Sequence, residues 1–102
     1  MTQYILSPEG EPIPCHDLMA WGTFMQNAER HVGDDHVGEI HVSTVFLGLD
    51  HSFGSKNAPP VLWETMIFGG EHDQYQERYT SRDAALKGHA TALTMVTSCS
   101  TA

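Results

Sequence analysis

Two runs in the middle of the chain are apolar at both alternating positions: Ile40-His-Val-Ser-Thr-Val-Phe-Leu-Gly-Leu49 and Val61-Leu-Trp-Glu-Thr-Met-Ile-Phe68. Strand side chains point to opposite faces in turn, so Ile40, Val42 and Phe46 share one face while Val45, Leu47 and Leu49 share the other. Val61, Trp63 and Ile67 likewise oppose Leu62, Met66 and Phe68. A half-buried hairpin needs only one apolar face, so this pattern predicts two strands covered on both sides.

Helical spacing flanks these strands. Leu18, Trp21, Met25, Ala28 and Val32 recur every three or four residues, and Pro14 and Asp17 provide an entry, so a first helix is predicted up to Val32, ended by Gly33-Asp-Asp35. Ala85, Leu86, His89, Ala92, Leu93 and Val96 form the corresponding stripe of a second helix running to about Val96. Its small residues, with Gly88, allow close approach to a sheet. Thr80-Ser-Arg-Asp83 reads as a variant capping box at its start. Tyr4-Ile-Leu6 is a short strand that turns at Ser7-Pro-Glu-Gly-Glu-Pro12 and returns near Ile13, and Gln76-Glu-Arg-Tyr-Thr80 is another strand, entered through Gly69-Gly70 and Glu71-His-Asp73.

These elements predict an α+β fold: a three- to four-stranded antiparallel sheet with two helices packed on one face, in the order β-α-β-β-β-α. Residues 1–97 are expected to form a single domain and 98–102 a C-terminal tail. Two helices cover one sheet face, which leaves the second apolar face to an interface or a ligand. A homo-oligomer follows, most simply a dimer joined through sheet surface. Asp50 to Pro60 connects the two long strands through a loop long enough to carry function.

Charge narrows the partners. Thirteen acidic residues against five basic ones give a formal net charge of −8, which argues against a nucleic-acid backbone as ligand. No run is long enough to cross a bilayer, and Met-Thr-Gln-Tyr-Ile-Leu has neither a basic leader nor a long apolar segment, so the expected location is the cytoplasm, away from membranes. Cys15 and Cys99 lack metal or disulfide spacing and read as free thiols.

The chemistry-bearing residues form three groups. The seven histidines include His31, His36 and His41, close in sequence to Asp34, Asp35 and Glu39. Their five-residue steps, taken across a predicted helix end, turn and strand, do not match metal-ligand spacing, so no metal or other cofactor is expected. Asp50-His51 and Glu71-His72-Asp73 fall at opposite ends of the predicted hairpin, too far apart to share acid-base work. Ser43, Thr44 and Thr65 lack the surroundings of a nucleophile.

Arg78, Ser81 and Arg82 gather at the start of the second helix, where free backbone donors and the dipole favour an anion; helix capping and ion pairing are the competing explanation. Trp63, Phe46 and His51 are the expected contacts for a planar group, although aromatic residues at such spacing also serve as core. His89, on the apolar stripe, is either a packed histidine or a polar group lining a pocket.

Three phrases carry a resemblance: Val42-Ser-Thr-Val-Phe-Leu-Gly-Leu-Asp-His-Ser-Phe-Gly54, Pro60-Val-Leu-Trp-Glu-Thr-Met-Ile-Phe-Gly-Gly70 and Arg78-Tyr-Thr-Ser-Arg-Asp-Ala-Ala-Leu-Lys-Gly-His89. With the opening Tyr4-Ile-Leu-Ser-Pro-Glu-Gly-Glu-Pro-Ile-Pro-Cys15, they resemble a family of small proteins encoded by tailed phages and prophages. The family has no established activity, so no catalytic residue is carried over. The resemblance implies an accessory protein in the bacterial host cytoplasm. The leading expectation is a non-enzymatic counter-defence protein that sequesters a small anionic, nucleotide-like ligand or occludes a host defence protein. The alternatives are a metal-dependent hydrolase using His36, Glu39 and His41, or His51, and a phage structural or assembly protein.

Overall fold

The computed structural model describes residues 2–52 and 58–99. The chain forms β1 (Tyr4–Leu6), β2 (Pro12–Pro14), α1 (Leu18–Asn27), β3 (His31–Val37), β4 (Ile40–Phe46), β5 (Trp63–Phe68), β6 (Gln76–Tyr79) and α2 (Arg82–Cys99). β1 and β2 pair as a separate hairpin with Ile5 opposite Ile13. The other four strands make an antiparallel meander in the order β3-β4-β5-β6. The expected α+β class, antiparallel sheet and helical cover are all present.

The inner face of the sheet is built from three cross-strand rungs, Val42 opposite Ile67, Thr44 opposite Thr65 and Phe46 opposite Trp63. All six side chains are buried. Over them lies α2, whose Ala85, His89, Ala92 and Val96 fall at helical spacing and are also buried. Val42, Ile67, Ala92 and Val96 form one apolar cluster, and Phe46, Leu62, Trp63 and Ala85 form a second. The polar rung, Thr44 and Thr65, lies between the clusters with His89 above it.

Close approach at that middle layer depends on two glycines. A Cβ on Gly33 would sit 2.6 Å from the His89 ring, and one on Gly88 would collide with the Tyr79 ring and hydroxyl. Small side chains at these positions let β3 and β6 reach the helix.

Three local expectations are corrected. Residues 31–37 form strand β3, so α1 ends at Asn27, Val32 belongs to the sheet, and Gly33-Asp-Asp35 continues the strand instead of turning. The pairing of β3 with β4 supplies backbone hydrogen bonds that local propensity did not signal. The helical cover is unequally shared: α2 lies across the sheet, whereas α1 adjoins β1 and leaves Leu18 and Met19 exposed. Phe24 connects α1 to the core by meeting Phe46 edge-on, with ring centroids 6.2 Å apart. Finally, Ser81 and not Thr80 caps α2, its Oγ accepting from the Ala84 N–H at 3.1 Å. α2 extends past the predicted end near Val96 to Cys99, and residues 100–102 of the expected tail lie outside the described residues.

Asp50 organises the connection between β4 and β5. Its Oδ1 accepts from the backbone N–H groups of Ser52 and Val61, each at 2.9 Å, and its Oδ2 accepts from the Ser52 hydroxyl at 3.0 Å. Desolvation opposes the charge, but these donors outweigh it and hold the carboxyl below its ordinary value. A lowered folded-state pKa contributes stability above the unfolded value of about 4 and loses it as pH falls through the folded value. Asp50→Asn presents an amide to the same donors and should cost about 1 kcal/mol near pH 7, discounted for partial exposure. Urea unfolding from pH 7 to pH 3 should show the wild-type advantage shrinking below about pH 4; an advantage independent of pH would refute this role.

Candidate functional site

The polar layer between α2 and the sheet is a continuous hydrogen-bonded chain. Tyr79 Oη donates to Thr65 Oγ1 at 3.0 Å, and the two threonine hydroxyls lie 2.5 Å apart. Thr44 Oγ1 is 2.7 Å from His89 Nδ1, and His89 Nε2 is 2.7 Å from Asp35 Oδ2. One arrangement gives every member a role: Tyr79 donates to Thr65, Thr65 to Thr44, Thr44 to Nδ1, and the Nε2–H to Asp35. Burial raises the Tyr79 phenol above its ordinary value against the pull of the Thr65 contact, so it remains a donor at neutral pH.

Asp35, His89 and Thr44 have the connectivity of an acid, base and nucleophile, but Thr44 is fully buried beneath the helix. A substrate carbonyl cannot approach its hydroxyl in this packing. His89 therefore satisfies a buried polar layer, the packed-histidine reading of the sequence.

Two neighbouring clefts open at the start of α2. The first, about 310 Å³, is bounded by the β1–β2 turn (Glu9, Gly10, Glu11) on one side and by Thr80, Ser81, Arg82 and Asp83 on the other. The second, about 300 Å³, runs past Phe24, Arg30 and Val32. Gly10, Trp63 and Arg82 line both. Trp63 is 1% exposed, and its indole Nε1 is buried with no hydrogen-bond partner among the described residues. A donor of this kind normally finds an acceptor when taken from water.

The fold thus brings together three of the expected ligand residues, Ser81, Arg82 and Trp63, and separates the rest. Arg78 points to the other sheet face, where its Nε donates to Glu64 at 2.9 Å. Strand alternation explains this, because Tyr79 turns inward and its neighbour must turn outward. Phe46 lies in the core between Phe24 and Trp63. His51 is half-buried at the start of the long connection, its Nδ1–H donating to the Leu49 carbonyl at 2.7 Å, and it lines neither cleft. Part of that connection, 53–57, lies outside the described residues.

Glu9 and Glu11, which the sequence marked only as part of a turn, form the facing wall of the first cleft. Their signal was the hairpin pairing of Tyr4–Leu6 with Pro12–Pro14, which projects the intervening turn; its seat beside α2 is a tertiary fact. No helix among the described residues is long and apolar enough to cross a membrane. No protein-family model, curated protein or solved structure matches the chain.

Proposed function

We propose that this protein is a non-enzymatic binding protein whose ligand, small, anionic and nucleotide-like, occupies the paired clefts at the start of α2. The observation that carries this reading is the buried indole N–H of Trp63, which has no partner among the described residues and belongs to one of the residues lining both clefts. An unmet buried donor costs roughly 1–3 kcal/mol, which a ligand acceptor placed against it would recover.

Arg82 supplies a positive charge shared by both clefts, beside the positive end of the α2 dipole. Glu9 and Glu11 disfavour a polyanion lying across the first cleft and suit the amino or hydroxyl donors of a nucleoside. The ligand accordingly carries its negative group at the Arg82 end and its donors at the glutamate end. Clefts near 300 Å³ are at the lower limit of small-molecule sites, which fits a single metabolite.

With the resemblance to tailed-phage proteins, this reading makes sequestration of a defence-related metabolite in the host cytoplasm the activity. Occlusion of a host defence protein is the macromolecular form of the same role. A second copy packed on the open sheet face, where Phe68 is 41% exposed, is the accompanying assembly.

Calorimetric screening with cyclic nucleotides and ADP-ribose derivatives should find saturable binding that Arg82→Ala and Trp63→Phe each weaken at least about tenfold, equivalent to about 1.4 kcal/mol. Native mass spectrometry of protein from infected cells should show the retained molecule and the subunit number together. No binding across both ligand classes, or full affinity in both variants, would sink the ligand reading.

A further inference from the structure

The β3–β4 hairpin places a second set of chemical groups on the face opposite α2. Asp35 reaches inward to His89, so strand alternation turns its neighbours Asp34 and His36 outward. His36 is directly opposite His41 across the two-residue Gly38-Glu39 connection. Their rings stack with centroids 4.3 Å apart and planes within 4° of parallel. Asp34 Oδ1 lies 2.5 Å from His41 Nε2.

We propose that Asp34, His36 and His41 form a site for one divalent transition-metal ion of the zinc, cobalt or nickel class. One ligand atom from each residue lies within 4.8 Å of the others. An ion bonded to all three at about 2.0–2.2 Å would draw these imidazole nitrogen and carboxylate oxygen atoms closer together. Two imidazoles and a carboxylate form a borderline donor set that suits these ions better than calcium or magnesium, which favour oxygen cages. Three protein ligands leave at least one coordination position for water or another donor.

The hairpin ladder makes this arrangement more than three nearby polar residues. Register pairs His36 with His41, and the shared strand face adds Asp34, so all three come from a short two-stranded scaffold. Around them, Asp34 Oδ2 faces His31 Nε2 at 4.0 Å, and His31 Nδ1 meets Glu29 Oε1 at 2.9 Å. Such outer contacts orient the atoms that bind a metal. The Phe68 ring, 5.7 Å from that of His41, shelters one side.

Glu39, grouped with His36 and His41 in the sequence, occupies the connecting turn and is not a member of this set. His51 follows the opposite end of β4 and is also outside it. The site is separate from the clefts at α2, so its existence does not depend on the ligand reading.

The test uses untagged protein stripped with chelator, because a histidine tag would supply competing ligands. Zn²⁺ titration should give one saturable equivalent, and Co²⁺ should give visible ligand-field bands that zinc abolishes. His36→Ala and His41→Ala should each weaken Zn²⁺ binding about tenfold or more, and the double variant should lose the cobalt bands. His16→Ala, an exposed histidine elsewhere, should leave both readouts unchanged. Native circular dichroism of the variants without metal distinguishes ligand loss from misfolding. Absence of saturable binding, or a normal cobalt spectrum in the folded His36→Ala/His41→Ala protein, would overturn the proposal.

Discussion

His89→Leu is expected to cost about 2–4 kcal/mol of folding stability, although leucine suits the apolar stripe of α2 better by composition. The reason is the chain of hydroxyls beneath it. Thr44 loses its acceptor at His89 Nδ1 in a position closed to water, and the directional arrangement through Thr65 and Tyr79 loses its end point. Against a typical domain stability of about 5–15 kcal/mol, such a loss is large enough to shift the urea midpoint clearly.

The more discriminating comparison is the triple variant Thr44→Val/Thr65→Val/His89→Leu. It removes the buried donors and acceptors together, while the half-buried Tyr79 can turn its hydroxyl toward solvent. Replacing all members of a polar set with apolar groups of similar shape is far less costly than removing one. The triple variant should therefore be more stable than His89→Leu alone. Equal or greater loss in the triple, or less than about 0.5 kcal/mol in the single, would show that the layer does not act as a coupled network.

Phe46→Ala should be the second severe change, at about 3–5 kcal/mol. Phe46 is fully buried in the rung with Trp63 and meets that indole with centroids 5.5 Å apart. It also receives the edge of Phe24, the contact joining α1 to the core. Removal of the ring leaves a cavity and withdraws the partner of α1, so hydrogen exchange within Leu18–Asn27 should accelerate more than expected from global unfolding. Phe46→Leu retains much of the volume and should cost roughly half as much. A ligand-stacking role predicts the reverse, with Phe46→Ala near wild-type stability and only affinity reduced; thermal melts without ligand decide between them.

These two residues also show where sequence pattern is informative. Val42 with Phe46, and Trp63 with Ile67, share a face as their alternation predicts, although both faces of these strands read as apolar and the tertiary structure chose the one under α2. The Ala85-to-Val96 stripe oriented α2 correctly except at Leu86, which is 41% exposed, and Gly88 correctly marked close approach. In each case the period of the backbone repeats in the side chains, so a short window carries the signal.

β3 carries no such signal. His31-Val-Gly-Asp-Asp-His-Val37 has low strand propensity and scarcely any apolar alternation. Its glycine and inward aspartate make sense only under His89, a residue distant in sequence that needs space from Gly33 and an acceptor from Asp35. Misreading β3 as a helix end and turn also hid the metal-ligand candidates. His36 and His41 looked wrongly spaced along the chain, although hairpin register sets them face to face.

The cleft group was partly legible. Ser81 and Arg82 follow from helix-start chemistry, and Trp63 was marked as an aromatic candidate. Arg78 was placed beside them by nearness in sequence, yet strand alternation carries it to Glu64 on the opposite face. The turn at Glu9–Glu11 reaches the same cleft from near the other end of the chain.

By itself, the sequence determined the α+β class, the paired central strands and the small-residue helix that covers them, because these depend on local backbone periodicity. Only the tertiary structure decided that β3 exists, that His89 joins Asp35 to the threonine layer, and that Trp63 and Arg82 meet Glu9 and Glu11. Those relations depend on strand register and on contacts between distant segments, and neither leaves a repeating mark in the chain.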